Sequence, residues 1–311
     1  MANLMVCSPI KIRNKLIPRN KLASFDSGPH HNTDKGLALA AKPYFLYRPG
    51  AVADPSPEVV SVRLRLAKKS SLLICPSQDH RFRSSVMAFQ LEQVVPWGRS
   101  FDEYASMFAL SGADLDKTIL GCGDGPASFN AELTVRGGRV NSADPVYRFS
   151  AGEIALRIEE TCTVVLEQTR RNADEFLWQR IRSVEELGRV RMIAMRRFLQ
   201  DYPRGRQEGR YVDTALPSLQ FADKSFELAL CSHFLFLYSG HFDGSFHLRS
   251  LRELCRVAEE VRVFPLLEFG AVKSRHLDEA LSQLSLDGHQ TDIVKVSYEF
   301  QRGANEMLVV H

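Results

Sequence analysis

Residues Thr118 to Asn130 read TILGCGDGPASFN. A short apolar run gives way to glycine at alternate positions, Gly121, Gly123 and Gly125, and these lead into a segment patterned as a helix. Glycine loses more backbone freedom on folding than any other residue, so such a cluster at a strand-to-helix junction needs a reason. Without a Cβ the turn can adopt positive φ, and another group can approach the main chain closely. In an open α/β sheet this turn lies at the carboxyl ends of the strands, where ligands bind at the switch in strand order. The flanking segments agree. KTILGC predicts a buried strand, PASFNAELTVRG a helix closed by Gly137 and Gly138, and RVNSADP a second strand ended by Pro145. Strand, helix and strand in about thirty residues form a βαβ unit with parallel strands and a right-handed crossover.

Asp144 ends that second strand, where a carboxylate can accept two hydrogen bonds from a ribose diol. Turn and acid together describe a nucleoside site. The dinucleotide fingerprint is G-x-G-x-x-G, whereas this chain has G-x-G-x-G followed by Pro126.

Three capping boxes mark helix starts. SFDE (Ser100 to Glu103) opens a helix reaching about Leu110, and SAGE (Ser150 to Glu153) and SVEE (Ser183 to Glu186) introduce helices of roughly 150–171 and 183–201, with a shorter one around Trp178. Strand signals return near Tyr211 in YVDTAL, SFELALCSHF, EVRVFPLLE, DIVKVSYEF and EMLVVH. QRGAN, with Gly303, joins the last two as an antiparallel hairpin. The block between about 146 and 210 is a helical insertion after the second strand, placed to fold over the site as a lid.

The chain of 311 residues carries a net charge of +3 that hides an asymmetry, because the basic residues crowd its first quarter. Eight of its prolines (Pro9, Pro18, Pro29, Pro43, Pro49, Pro55, Pro57 and Pro76) lie there too, which disfavours long regular elements. Glu58–Leu66 and Ser71–Cys75 are its two strand candidates. Residues 1–86 therefore read as a poorly ordered or loosely appended basic segment, and 87–311 as the folded domain, with Met87 a candidate natural start. Six scattered cysteines without a C-x-x-C pair point to neither a zinc cluster nor a disulfide framework, and a reducing cytoplasm is the simplest home. No apolar run is long enough to span a membrane.

The tight glycine pattern ILGCGDG resembles motif I of the class I S-adenosylmethionine-dependent methyltransferases. LPSLQFADKSFELALCSHFLFLYS resembles the stretch through that family's fourth strand, and the terminal hairpin is similar to its antiparallel seventh. VVPWGRSFDEY and ILGCGDGPASFN further resemble a bacterial group of methyltransferase-like proteins; the likeness covers about Met87 to His311. It implies a Rossmann-like α/β fold, a seven-stranded mostly parallel sheet with an antiparallel C-terminal hairpin, and S-adenosylmethionine as cofactor. It also implies site residues. Gly121, Cys122, Gly123, Asp124 and Gly125 would pass beneath the methionine part, Asp144 would bind the ribose, and Ala215 and Leu216 would lie near the adenine. Ser232 and His233 would flank the methyl, with His233 the catalytic candidate. Trp97 and Arg99 would close over the methionine end, Arg99 pairing with the carboxylate. Two positions depart from the pattern: Ile119 stands where the family has an acid, which Asp124 could replace, and Glu227 stands where aspartate is commoner.

Other signals carry less. DPVY (Asp144 to Tyr147) resembles the D-P-P-Y of adenine amino-methyltransferases but ends the second strand rather than the fourth. His233, His241, Asp243 and His247 do not share a helical face, which argues against a metal site. In GRVRMIAMRRFLQDYPRGR the apolar positions Val190, Ile193, Ala194 and Phe198 predict one buried face and a solvated arginine face, so nucleic acid is not the favoured partner. A methyltransferase for a small-molecule acceptor leads. A non-catalytic module that kept the fold and a nicotinamide-dependent oxidoreductase are the competing classes. Oligomeric state is open.

Overall fold

The computed structural model describes residues 95–311. The readings made for residues 1–86, the strands at Glu58–Leu66 and Ser71–Cys75, and the proposed start at Met87 lie outside the described residues.

Ser100 caps α1 (Phe101–Met107) with the reciprocal Ser100 and Glu103 bonds that the sequence announced. Ser111 caps the single turn α2 (Gly112–Leu115) in the same way. Then come β1 (Thr118–Cys122), α3 (Phe129–Val135) and β2 (Arg139–Ala143), the expected βαβ unit. The insertion follows as two long helices packed on each other, α4 (Ala151–Arg171) and α5 (Val184–Gln207). Ser150 and Glu153 form a full capping box. At α5 the box is half made: Ser183 accepts from Glu186 N, but the Glu186 carboxylate accepts from Arg182 N instead of closing back on the cap.

The second half alternates as β3 (Tyr211–Val212), β4 (Phe226–Ser232), α6 (Gly244–Val257) and β5 (Ala258–Phe264). A small hairpin of β6 (Leu267–Glu268) and β7 (Val272–Lys273) precedes α7 (Leu277–Leu286), β8 (Thr291–Lys295) and β9 (Glu306–Val310). The sheet runs β3-β2-β1-β4-β5-β9-β8. Its first five strands are parallel, and β9 is antiparallel to both β5 and β8. This is the Rossmann-like α/β fold expected above, with the switch in strand order between β1 and β4.

Because successive strand side chains point to opposite faces, β1 feeds two cores. Ile119 joins Phe101, Tyr104, Phe129, Leu228 and Leu230 on the α1–α3 side. Leu120 and Cys122 join Ala229, Cys231, Leu251 and Leu254 on the α6 side. Glycine and apolar residues dominate β1 and β4 because both faces are covered.

Three sequence expectations are corrected here. Trp178 does not lie in a helix: a 3₁₀ turn at Ala173–Glu175 ends at Phe176, which bridges to Gln301, and Leu177 N donates to Phe300 O at 2.7 Å. β8 also stops early, at Lys295: Val296 N still donates to Asn305 O at 2.9 Å, and the chain beyond it turns to meet the insertion before QRGAN returns it to β9. On α5, Ile193 is 58% exposed and Arg191 only 1%; the buried stripe is Leu187, Arg191, Ala194, Met195, Phe198 and Tyr202. One arginine of the anticipated solvated face is thus inside the protein.

Candidate active site

Register alone assembles the site. Cys122 pairs with Ala143 on one side and Cys231 on the other, so Gly123, Asp144 and the pair Ser232–His233 emerge at one edge of the sheet. Gly123 and Gly125 have φ of 69° and 51°, the left-handed values their missing Cβ permits. The three glycines serve different neighbours. A Cβ on Gly121 would overlap the Asp124 carboxylate, and one on Gly123 would stand 2.8 Å from Phe234 Cβ. At Gly125 the nearest atom to such a Cβ is Asp144 Oδ2, at 4.0 Å, so the open side of the turn lies between Gly125 and Asp144.

Asp124 braces the turn from within. Tyr104 donates to Oδ1 at 2.8 Å and Ser142 to Oδ2 at 2.7 Å, and burial pushes the carboxyl up to about 7 against those bonds. Its carboxyl therefore faces the protein interior. Asp144 is half-buried at the rim, where Oδ2 accepts from Gly125 N at 2.9 Å and Oδ1 from Val146 N at 2.8 Å. Burial raises it to about 6 in spite of both donors. Tyr147 of DPVY donates to Gly125 O at 2.7 Å, locking the same turn from the insertion side.

At the end of β4, Ser232 is buried and its Oγ lies 3.1 Å from His233 Nδ1. His233 has φ of 50° and is fixed by a backbone bond to Phe264 O at 2.7 Å. It is the half-buried member of an otherwise buried run from Cys231 to Ser239. Enclosure, then the charges of Arg99 and Arg191, hold its imidazole well below the usual range, so the ring is neutral near pH 7.

Gly98 passes so close to Pro126 O that no Cβ would fit, and Ser128 N donates to Arg99 O at 3.0 Å. Those contacts dock Trp97 and Arg99 on the glycine turn. Trp97 packs towards Val165 and towards the Tyr147, Phe198 and Tyr202 cluster of the insertion. Arg99 Nη1 donates to Trp97 O at 3.1 Å, while its buried Nε has no acceptor. Burial and the neighbouring Arg191 lower this guanidinium to about 10. Leu216 belongs to the same core as Cys122 and Ala143, and Ala215 bridges to Ser218 in the adjoining turn.

The sequence did not point to the group behind Arg99. Glu103, read there as a cap, also accepts a very short hydrogen bond from Arg191 Nη1 and one from Tyr298 at 3.0 Å. Burial works to raise its carboxyl, but Arg191 and the Ser100 backbone bond overcome that and hold it at about 2. A helical stripe continuing Leu187 to Ala194 through Arg191 was the available signal. His247, by contrast, spends its ring nitrogens on the Asp243 and Leu235 carbonyls.

No family profile matches the chain. Solved structures similar to it include the magnesium protoporphyrin IX methyltransferase of Synechocystis with bound S-adenosylmethionine, 12% identical over 68% of this chain and 76% of that one, with a TM-score of 0.34. Another is the 1,6-didemethyltoxoflavin-N1-methyltransferase of Burkholderia thailandensis, with bound 1,6-didemethyltoxoflavin and S-adenosylhomocysteine, 14% identical over 67% and 76%, with a TM-score of 0.36. Sequence similarity reaches further with an archaeal protein, the uncharacterized protein MJ0045 of Methanocaldococcus jannaschii, which is 33% identical over 225 residues covering 71% of this chain and 97% of the relative. On that similarity, the chain belongs to the same family as MJ0045.

Proposed function

We propose that the chain is an S-adenosylmethionine-dependent methyltransferase for a small-molecule acceptor, with 87–311 as its functional domain and the 146–210 insertion as the wall of the acceptor pocket. One observation carries the reading: the open side of the positive-φ turn faces a half-buried Asp144 carboxylate whose acceptor sites are directed by backbone donors. The docking of Trp97 and Arg99 on the same turn supports it. These residues fit the cofactor. Gly125 would lie against it, Asp144 would accept from its ribose diol, and Leu216 and Ala215 would border the adenine. Ile119 is wholly inside the α1–α3 core, and Asp124, the expected replacement for the acid missing there, turns its carboxylate inward to Tyr104 and Ser142, which leaves the methionine amine to backbone carbonyls.

When bound, the cofactor supplies an activated methyl on a sulfonium. The chain's task is then alignment and exclusion of water. Phe264 O holds the His233 backbone and Ser232 Oγ meets its ring at the β4 edge, Trp97 and the insertion helices enclose the site, and His233 can accept a proton where the acceptor must lose one.

Thermal shift with S-adenosylmethionine, S-adenosylhomocysteine and NAD tests the assignment. Either adenosyl ligand at a hundredfold excess over its dissociation constant should stabilise the fold by about 2.7 kcal/mol, roughly 5–10 °C. Stabilisation by NAD alone would overturn the assignment, and no response to any of the three would favour the non-catalytic module.

Asp144→Ala should weaken S-adenosylhomocysteine binding by roughly 10- to 100-fold in calorimetry, the range expected for hydrogen bonds to a charged acceptor. The pH response should have two signs. With the Asp144 carboxyl raised to about 6, affinity should fall as pH drops below 6, because the protonated acid no longer accepts both hydroxyls. In the ligand-free protein the same raised value favours the protonated native state, so its contribution to stability is present at acid pH and is lost as pH rises through about 6. Mutant and wild type should converge in affinity at pH 5.

A further inference from the structure

The charges around His233 do not balance. The His233 ring packs on Phe264 at 5.4 Å and Phe264 on Tyr298 at 5.8 Å, and Tyr298 donates to Glu103, whose oxygens are also engaged by Arg191 and Ser100. The Arg99 and Arg191 guanidiniums each retain a buried Nε without an acceptor. Asp124 and Asp144 do not relieve this, since Asp124 is committed to Tyr104 and Ser142, and Asp144 to Gly125 and Val146 at the opposite side of the turn. The charges acting on the His233 ring are those of Arg99 and Arg191. A buried cation without a partner is costly, and an anion brought by a ligand removes the cost.

On the methyltransferase reading, from which this inference follows, the imbalance grows. The ammonium and carboxylate of the cofactor cancel, leaving its sulfonium as a further positive charge. We infer that the acceptor is an organic acid that reacts as its anion, a carboxylate or an acidic phenol or enol, presented to the Arg99 and His233 end of the site. In the step, a lone pair on the acceptor oxygen forms the new oxygen–methyl bond as the sulfur–methyl bond breaks, and that electron pair stays on sulfur. Anion and sulfonium become a neutral ester or ether and a neutral thioether, and no proton moves. Loss of two opposite charges suits an enclosed site of low polarity. It also needs no base.

The test uses the full chain saturated with S-adenosylhomocysteine and three probes of similar shape, benzoate, benzamide and benzylamine, compared at one ionic strength by calorimetry or ligand-observed NMR. Benzoate should bind at least about tenfold more tightly than either neighbour. The preference should disappear in Arg99→Gln and survive in Arg99→Lys, which keeps the charge. Equal binding of benzoate and benzamide, tighter binding of benzylamine, or no binding of any probe to the saturated wild type overturns the inference while leaving the methyltransferase standing. If S-adenosylhomocysteine itself fails to bind, both fall together.

Discussion

Gly121→Ala should lower the melting temperature by roughly 6–12 °C and abolish S-adenosylhomocysteine binding, although the change adds a single methyl group. The new Cβ would occupy the space of the Asp124 carboxylate, which must leave its bonds from Tyr104 and Ser142. Overpacking and the exposure of two buried hydroxyls to unmet hydrogen bonds together cost about 3 kcal/mol. Chemical denaturation of the two proteins measures the first effect and calorimetry the second. Gly125→Ala makes an informative contrast: its Cβ finds open space, so the fold loses only what the positive φ of 51° costs an alanine. Full binding by Gly121→Ala would mean that the turn does not shape the ligand site.

The buried Glu103–Arg191 pair should give the other large effect. Glu103→Ala leaves Arg191 and Arg99 without a counter-charge, a loss of about 3–5 kcal/mol, and Arg191→Met should cost a similar amount by stranding the acid. The double variant Glu103→Leu/Arg191→Met should recover most of the stability, because it removes both desolvated charges at once. Such a cycle separates a fold problem from a site problem: a stable double variant that no longer binds S-adenosylhomocysteine places the pair in the docking of the Trp97–Arg99 segment on the turn. The pH response follows from Glu103 held at about 2, below its ordinary value of 4.5. Its stabilisation, about 3 kcal/mol by linkage, is complete above pH 4.5 and is lost as pH falls towards 2. Acid unfolding of the double variant should therefore be less steep than that of the wild type.

The fold was legible where a local rule has one outcome. Ser100 and Ser150 became reciprocal caps as their spacing required, and the G-x-G-x-G junction became a positive-φ turn. Legibility failed where long-range contacts decide. On α5 the stripe Leu187, Arg191, Ala194, Phe198 competes with an apolar period that includes Ile193, and only Glu103 lying across from Arg191 decides that Arg191 is inside and Ile193 outside. The strand candidate DIVKVSYEF ends early because Phe300 stacks on Phe176 at 5.0 Å and Tyr298 reaches Glu103, partners far away in sequence. The glycine turn itself was legible, but not the division of labour within it. Two of its glycines make room for Asp124 and Phe234, and no spacing rule says which side chain of the chain will fill such a hollow.

The sheet order has a consequence for biosynthesis. Glu306–Val310 lies between β5 and β8, so both neighbours keep an open row of amide and carbonyl groups until that segment has cleared the ribosome. A nascent chain that has already made the turn, the insertion and β5 holds an exposed β5 edge. Completion of the sheet is therefore a late event, and the interval before it is when a chaperone would be needed.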